Sequence, residues 1–173
     1  MRATMVRTRL EAASRRREQE FLEAVRRSKG LHAPWSSPPA TSTRARRYLA
    51  PRKDGRSELH FILTPADEIA GVVEITEIVR GPFRSAYLGF YALEPHQGRG
   101  YMTAGLSAVV RRAFGALRLH RLEANIQPAN GASKALVRRV GFRKEGLSPR
   151  YLKIGGRWRD HERWAITRED WRR

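Results

Sequence analysis

An apolar strand pattern that ends in a glycine-rich turn constrains the fold of this chain more than any other feature of the sequence. Ser85–Leu93 predicts a strand, and the apolar spacing over Gly100–Leu117 predicts a helix that begins directly after Gly98 and Gly100. Arg121–Gln127 then predicts a second strand. A strand, a helix and a strand in succession indicate two parallel strands joined by a right-handed crossover.

The other segments predict an antiparallel sheet around this parallel pair. Leu59–Leu63 and Ile69–Val79 are rich in β-branched residues, and the turn-forming residues between them indicate a hairpin. We therefore expect an α+β fold in one domain, residues 1–173, with a mixed, mostly antiparallel central sheet flanked by helices. The end of the chain predicts one more helix and three more strands, over Gly131–Val140, Phe142–Leu147, Tyr151–Ile154 and Trp158–Thr167.

Residues 1–56 predict a basic helical part that precedes a core of residues 57–173. Ser14–Ser28 has the spacing of an amphipathic helix, with its first serine as the N-cap and Gly30 just beyond its end. Thr41–Leu49 predicts a second helix.

Two stretches of this basic part do not predict helices. Leu31–Ala40 contains three prolines and predicts a loop anchored by Trp35. Met5–Leu10 is short and interrupted by arginines, so the sequence leaves open whether a first strand forms there.

Composition limits the chemistry and the partners that this chain can have. Its formal net charge is +18, and more than half of that charge falls within residues 1–56. Such a field concentrates anions such as nucleotide phosphates, RNA or acidic protein surfaces. Cysteine is absent, which excludes disulfides, thiolate zinc sites and cysteine nucleophiles. Without a signal-peptide pattern or a run of about 20 apolar residues, we expect a cytoplasmic protein without a membrane span.

The glycine-rich turn is a candidate phosphate site. Gly98 and Gly100 allow a tight turn whose amide groups can point at one centre, and the helix that follows adds its unpaired N-terminal N–H groups. Arg99, Arg138 and Arg139 could add charge. The turn lacks the GK[ST] ending of an NTPase loop and the distant acidic residue of a dinucleotide site, so a different phosphate ligand is indicated.

Four motifs in order make the sequence resemble the GCN5-related N-acetyltransferases, and among them the RimJ/RimL-type ribosomal-protein N-acetyltransferases. The resemblance covers residues 59–171. It implies a sheet whose parallel strands splay at an acyl-CoA site. The motifs are Gln97-Gly98-Arg99-Gly100-Tyr101-Met102, Asn125-Ile126-Gln127-Pro128-Ala129-Asn130-Gly131-Ala132-Ser133, Val140-Gly141-Phe142-Arg143-Lys144-Glu145-Gly146 and Gly156-Arg157-Trp158-Arg159-Asp160-His161.

The resemblance also implies which residues bind acetyl-CoA, without a metal. Asn130 and Ser133 would face the pantetheine and the thioester. Met102 replaces a small residue of the family motif, but its amide rather than its side chain would serve the site. The pyrophosphate would lie on the backbone of Gln97, Gly98, Arg99, Gly100, Tyr101 and Met102, and the pantetheine would pair with Tyr91, Ala92 and Leu93.

Acetyl transfer by direct attack of an amine needs a base, an oxyanion donor and an acid for the thiolate. Candidate bases are Glu74, Glu77 and Glu123, each of which could equally be a surface or ion-paired carboxylate. Alternation places Glu123 and Asn125 on one face of their strand. Ser133 is the candidate acid, although it could instead cap its helix.

Two further positions bear on this chemistry. The family tends to have an acidic residue just before the tyrosine of the late strand, where this chain has Arg150 before Tyr151. Asp160 and His161 are neighbours on a strand, so they point to opposite faces and do not form a catalytic dyad. Asp160 is therefore expected to be structural, paired with an arginine.

The favoured function is transfer of an acetyl group to a protein N-terminus, such as that of a ribosomal protein, with the basic N-terminal part favouring rRNA or an acidic partner. A second hypothesis is acetylation of a small amine, such as an antibiotic or an aminoacyl conjugate. A third, of another class, is a basic RNA- or ribosome-binding module that retains the fold. The aromatic residues show no base-stacking platform, which disfavours the third hypothesis. The oligomeric state stays open.

Overall fold

Seven strands, five helices and one 3₁₀ turn make up the regular structure of the computed structural model, which describes residues 6–171. Within this part no helix has the length and apolar composition that crossing a bilayer requires. The strands are β1 Arg9–Ala12, β2 Glu58–Leu63, β3 Ile69–Val79, β4 Ser85–Ala92, β5 Arg121–Ile126, β6 Arg143–Ile154 and β7 Arg157–Thr167. The helices are α1 Glu18–Arg27, α2 Lys29–His32, α3 Ser42–Tyr48, α4 Tyr101–Phe114 and α5 Gly131–Val140.

The strands form one sheet in the order β1-β2-β3-β4-β5-β7-β6. Neighbouring strands run antiparallel except β4 and β5, which are parallel and are joined through α4. The predicted mixed sheet with a parallel strand pair is therefore confirmed.

Helices cover both faces of the sheet, and β2 shows why its three consecutive residues Phe61–Leu63 are all apolar. Phe61 and Leu63 belong to a buried cluster with Phe21 of α1, whereas Ile62 belongs to a second cluster with Leu106 of α4. Successive strand residues point to opposite faces, so a strand covered on both sides needs apolar residues throughout.

α4 lies close against the sheet at Gly105. A Cβ atom at this position would lie 2.3 Å from Cδ1 of Ile62, well inside contact distance. The absence of a side chain at Gly105 therefore sets how near α4 approaches β2.

The first predicted helix is wrong at its start but right at its end, because α1 ends at Arg27 with Ser28 as its C-cap. Its first turn is a 3₁₀ turn, Arg15–Arg17, and the Ser14 side chain makes no capping hydrogen bond. Gly30 does not end the helix but lies within α2. The chain bends instead at Ser28, which is fully buried. Its hydroxyl donates to a carbonyl of α1 at 2.7 Å and accepts from the amide of Glu94 at 2.8 Å, a long-range contact that the local pattern does not contain.

The strands predicted at Phe142–Leu147 and Tyr151–Ile154 are one irregular strand, β6. The irregularity includes Arg150, which has a positive φ of 48°. Its backbone amide donates to Asp160 at 2.8 Å, so Asp160 is structural and bonds an arginine through the main chain. Asp160 is exposed and His161 is buried, as expected for neighbours on opposite faces of β7.

A first strand does form, but later than Met5–Leu10. β1 begins at Arg9 and pairs with β2, with Leu10 opposite Ile62, whereas Met5 lies outside the described residues. Ion pairs accommodate the arginines around β1. Arg17, for example, lies 2.7 Å from Glu11 and 2.7 Å from Asp67.

Candidate active site

β4 and β5 separate after a short parallel ladder. Their pairing covers Ser85–Tyr87 and Arg121–Glu123, whereas β4 continues to Ala92 and β5 to Ile126. Beyond this ladder, the edge of β4 that faces β5 has no strand partner within residues 6–171. Free amide and carbonyl groups on a strand edge can pair with an extended ligand.

A cleft of about 1050 Å³ opens where the two strands separate. Its walls come from the end of β4, from α2 and from α4 and α5. Gly98 and Gly100 turn the chain from β4 into α4 with left-handed φ angles of 74° and 86°. Glycine adopts this backbone without strain, and the turn brings amide groups together at the N-terminus of α4, an arrangement that suits a phosphate.

The cleft is electropositive. Arg7, Arg111 and Arg139 line it, and no Asp or Glu of the described residues does. Arg138, also predicted to supply charge, instead places its guanidinium over the ring of Trp164, 5.4 Å from the ring centroid. The field in the cleft therefore favours an anionic ligand.

Most of the residues predicted to bind a cofactor line this cleft, but three do not. The N–H of Leu93 donates to Ala70 at 2.9 Å and its carbonyl accepts from His96 at 3.0 Å, so neither group is free for a ligand. Arg99 is exposed, and Tyr101 packs edge-on against the ring of His96. The residues that do line the cleft are Tyr91, Ala92, Gln97, Gly98, Gly100, Met102, Asn130 and Ser133.

Asn130 and Ser133 stand at the start of α5. Asn130 Oδ1 accepts a hydrogen bond from the amide of Ser133 at 3.1 Å, so the side chain of Asn130 caps the helix. The Ser133 hydroxyl is not the cap, and Ser133 lines the cleft. Its hydroxyl can therefore serve a ligand without weakening the start of α5.

Neither Glu77 nor Glu123 lines the cleft. The Glu77 side chain is 63% exposed and pairs with Arg56 at 3.0 Å. Glu123 pairs with Arg121 at 2.8 Å, on the face of the sheet that α4 and α5 do not cover. These placements do not support Glu77 as a base and leave Glu123 as a carboxylate held by an arginine.

Glu74 does not line the cleft either, but it lies nearer to the separated strands. It is opposite Gly89 of β4, where an added Cβ atom would meet no heavy atom within 4 Å, so the sheet surface beside it is open. Its carboxylate accepts from Arg52 at 2.6 Å. Burial, and the nearby Glu74 charge, raise the pKa of Tyr48, and burial raises the pKa of Tyr91 well above its usual value. Both hydroxyls therefore stay protonated beside this carboxylate.

Asn125 of β5 faces the same side of the sheet as Glu123, since residues two apart on a strand share a face. The alternate residues Leu122, Ala124 and Ile126 are buried on the opposite face. Its Nδ2 donates to the Tyr151 hydroxyl at 3.3 Å. Its Oδ1 is buried and has no hydrogen-bond partner within residues 6–171. A buried acceptor without a partner costs about 1–3 kcal/mol. Asn125 does not line the cleft, so this oxygen is not assigned to the site.

Two residues between α1 and α3 contribute to the cleft in ways that the sequence did not predict. His32 Nε2 donates to the carbonyl of Ala92 at 2.8 Å, and its ring packs edge-on against Tyr91. Trp35, predicted only as a loop anchor, lines the cleft, and its carbonyl accepts from Gln127 at 3.3 Å. Isolated residues in a proline-rich stretch have no periodicity, so the sequence carried no signal for these contacts.

The family model described as acetyltransferase (GNAT) domain matches residues 7–143. This chain belongs to the GNAT acetyltransferase family. The probable N-acetyltransferase YjcK of Bacillus subtilis is 38% identical over 121 residues, which are 69% of this chain and 67% of that protein. The ribosomal protein uS5-alanine N-acetyltransferase of Escherichia coli is 41% identical over 117 residues, which are 66% of this chain and 60% of that protein.

Solved structures agree with this assignment. Mycobacterium smegmatis RimJ in complex with CoA-disulfide has a TM-score of 0.82 and 29% identity, and the match covers 94% of this chain and 82% of that one. The ribosomal-protein-S5-alanine acetyltransferase of Vibrio fischeri has a TM-score of 0.84 at 24% identity, over 96% of each chain, and supports the fold. The chain is a GNAT N-acetyltransferase, and the family uses acetyl-CoA as its acyl donor.

Gly100→Ala in this GNAT enzyme is expected to weaken acetyl-CoA binding about tenfold, because a left-handed non-glycine residue costs about 1–2 kcal/mol and the free turn would relax to another conformation that binding must reverse. The added Cβ would also lie 3.0 Å from Val6, another residue of the cleft wall. Calorimetry with acetyl-CoA measures the effect. Gly156→Ala is the matched control, since Gly156 has a similar φ of 79° and lies in the turn between β6 and β7. Equal affinity of the Gly100 and Gly156 variants would place the phosphate site elsewhere.

Proposed function

We propose that this chain transfers the acetyl group of acetyl-CoA to the N-terminal α-amino group of a protein, and that the acceptor is a ribosomal protein. The observation that carries the donor half is the arginine-lined cleft between the separated strands β4 and β5, with its glycine turn at the start of α4. The 41% identical relative, a ribosomal protein uS5-alanine N-acetyltransferase, supports the acceptor half. A ribosomal acceptor would place the reaction in the cytoplasm, near rRNA.

The residues of the cleft fit acetyl-CoA in three respects. The amides of Gln97, Gly98, Gly100 and Met102 at the α4 N-terminus suit the pyrophosphate, and Arg111 and Arg139 would supply charge to its phosphates. The free edge of β4 suits the amide groups of pantetheine, through Tyr91 and Ala92. Leu93 is not part of this proposal, because its backbone groups are already bonded.

Acetyl-CoA supplies a thioester carbonyl that an amine can attack directly, so no residue of this chain needs to form a covalent intermediate. An α-amino group has a pKa of about 7.7–8.0 and is partly neutral at physiological pH. The residue needed is therefore a nearby carboxylate that takes the remaining proton, directly or through a water. Of the carboxylates described above, we assign this role to Glu74, which lies beside the open surface at Gly89.

Ser133 is the proposed acid for the thiolate that leaves. Ser133→Ala is expected to lower kcat about tenfold, less than the roughly 10²–10⁴-fold usual for a general acid, because water can partly replace a hydroxyl. The melting temperature should stay the same, because Asn130 rather than the Ser133 hydroxyl caps α5. Steady-state kinetics and thermal unfolding measure the two quantities. An unchanged kcat would remove the acid role, and a lowered melting temperature with unchanged kcat would make Ser133 structural.

The acceptor class is tested by mass spectrometry on three substrates incubated with acetyl-CoA and the enzyme. The first is a peptide with a free N-terminal alanine and one lysine, the second is the same peptide with a blocked N-terminus, and the third is the small amine spermidine. We expect acetylation of the first peptide at its N-terminus and none of the second. Acetylation of spermidine alone would contradict the proposal, as would modification of the lysine in both peptides.

A further inference from the structure

A second depression, of about 840 Å³, lies on the other side of Tyr91 from the cleft proposed to bind acetyl-CoA. Residues of α3 and the loops on either side of it form this acceptor groove, including Pro38, Pro39 and Tyr48. Tyr91 and Ser36 line both the groove and the cleft. The two spaces therefore share a wall next to the carboxylate proposed to accept the proton.

The groove is strongly cationic. Arg44, Arg47, Arg52 and Lys53 line it, against one carboxylate, Asp54. Arg52 lies 2.6 Å from Glu74, so its charge is already paired. Asp54 accepts from a backbone amide of its own turn at 2.9 Å and forms no ion pair with the groove cations within residues 6–171, so a net positive charge remains.

Helical spacing explains why two arginines of α3 face the groove while a third does not. Residues three apart lie on the same side of a helix, and Arg44 and Arg47 both line the groove. Arg46 points elsewhere and pairs with Glu18 at 2.9 Å. Within residues 6–171, Arg44, Arg47 and Lys53 form no ion pair with a carboxylate, and the guanidinium of Arg44 donates to a neutral carbonyl at 3.3 Å.

We propose that the acceptor groove binds the segment that follows the acceptor's N-terminal residue and selects acidic side chains there. This inference rests on the proposed function. Arg44, Arg47 and Lys53 supply exposed positive charge, and the proline and tyrosine walls give apolar contact to a chain. RNA fits less well, because the Tyr48 ring is half-buried beneath the guanidinium of Arg52, 5.6 Å from its centroid, and does not offer a face for base stacking.

Three peptides test this selectivity. They share a free N-terminal alanine and differ only in residues 3–6, which are all Glu, all Gln or all Lys. We expect kcat/KM to be highest for the Glu peptide, by about tenfold over the Gln peptide at low salt. The preference should shrink at 0.5 M NaCl, because the Debye length falls from about 10 Å at 0.1 M salt toward about 3 Å at 1 M.

Charge removal links the preference to the groove. Arg47→Gln and Lys53→Gln are each expected to lower the Glu-to-Gln ratio of kcat/KM about threefold, as for exposed ion pairs. Arg168→Gln, which removes an exposed arginine beyond the end of β7, is the matched control and should leave the ratio as it is. Both groove residues are exposed, so the variants are expected to fold.

Each outcome separates this inference from the proposed function. Equal kcat/KM for the Glu and Gln peptides would overturn the selectivity and leave N-terminal acetylation standing. Absence of acetylation on all three peptides would overturn the proposed function and this inference with it. If the peptides react equally and an RNA oligonucleotide binds through Arg47 and Lys53, the groove is an RNA site and the inference is wrong.

Discussion

Glu74→Gln is expected to lower kcat for a free N-terminal peptide about 100-fold at pH 7, the usual effect of losing a general base. The amide keeps the shape of the side chain but cannot take a proton from the attacking amine. The deficit should shrink above pH 9, where the α-amino group, with a pKa near 8, is neutral without help. A pH profile of kcat and kcat/KM measures both effects.

Glu77→Gln is the matched control, because it makes the same change on the same strand. Glu77 is exposed and pairs with Arg56, away from the cleft, so the rate should change less than twofold. A large loss in the Glu77 variant with none in the Glu74 variant would contradict the assignment. The same loss at every pH for Glu74→Gln would indicate a structural role, through its bond to Arg52.

Gly105→Ala is expected to destabilise the fold by about 1–2 kcal/mol. Alanine favours a helix by about 1 kcal/mol over glycine, but overpacking a core costs about 1–3 kcal/mol. The new Cβ would lie 2.3 Å, 2.5 Å and 2.8 Å from three carbons of the Ile62 side chain, so overpacking should exceed the helix gain. Urea unfolding followed by circular dichroism measures the change.

Two further variants test this cause. Gly131→Ala also adds a methyl group in a helix, but its Cβ would meet no heavy atom within 4 Å, so this variant should be neutral or more stable. In the double variant with Ile62→Ala, the loss should be smaller than the sum of the two single losses, because the methyl group enters the space that Ile62 leaves. Additive losses would show that the Gly105 effect does not come from this contact.

Local signals explain which elements the sequence predicted well. α5 spans Gly131–Val140 as predicted, because both of its ends are encoded nearby: Asn130 caps the start and Gly141 adopts a left-handed φ of 108° at the end. The β2–β3 hairpin and the parallel pair likewise follow from strand patterns and connection lengths. The end of α1 at Ser28 was predicted, but the contacts of Ser28 were not, because one of them is a hydrogen bond from the amide of Glu94, far away in sequence.

The acetyl-CoA site and the acceptor site also differ in how much of each the local sequence could predict. The proposed phosphate site consists of backbone amides of one continuous turn, so a local pattern, the glycine spacing together with the family motif around it, indicated it. The choice among carboxylates depends on where β3 lies relative to the open surface at Gly89, and on a register irregularity between Thr76 and Val79 that separates Glu74 from Glu77. Neither the irregularity nor the contact of His32 with Ala92 leaves a mark in the local sequence.

The short ladder between β4 and β5 has a consequence for how this enzyme can change. The residues proposed to bind acetyl-CoA come from one uninterrupted stretch, Ser85–Val140, which folds around the point where β4 and β5 separate. The groove proposed to read the acceptor comes mainly from a separate stretch, from Ser36 to Asp54. Substitutions within Ser36–Asp54 can therefore change which acceptor is preferred, while the residues proposed to bind acetyl-CoA stay the same.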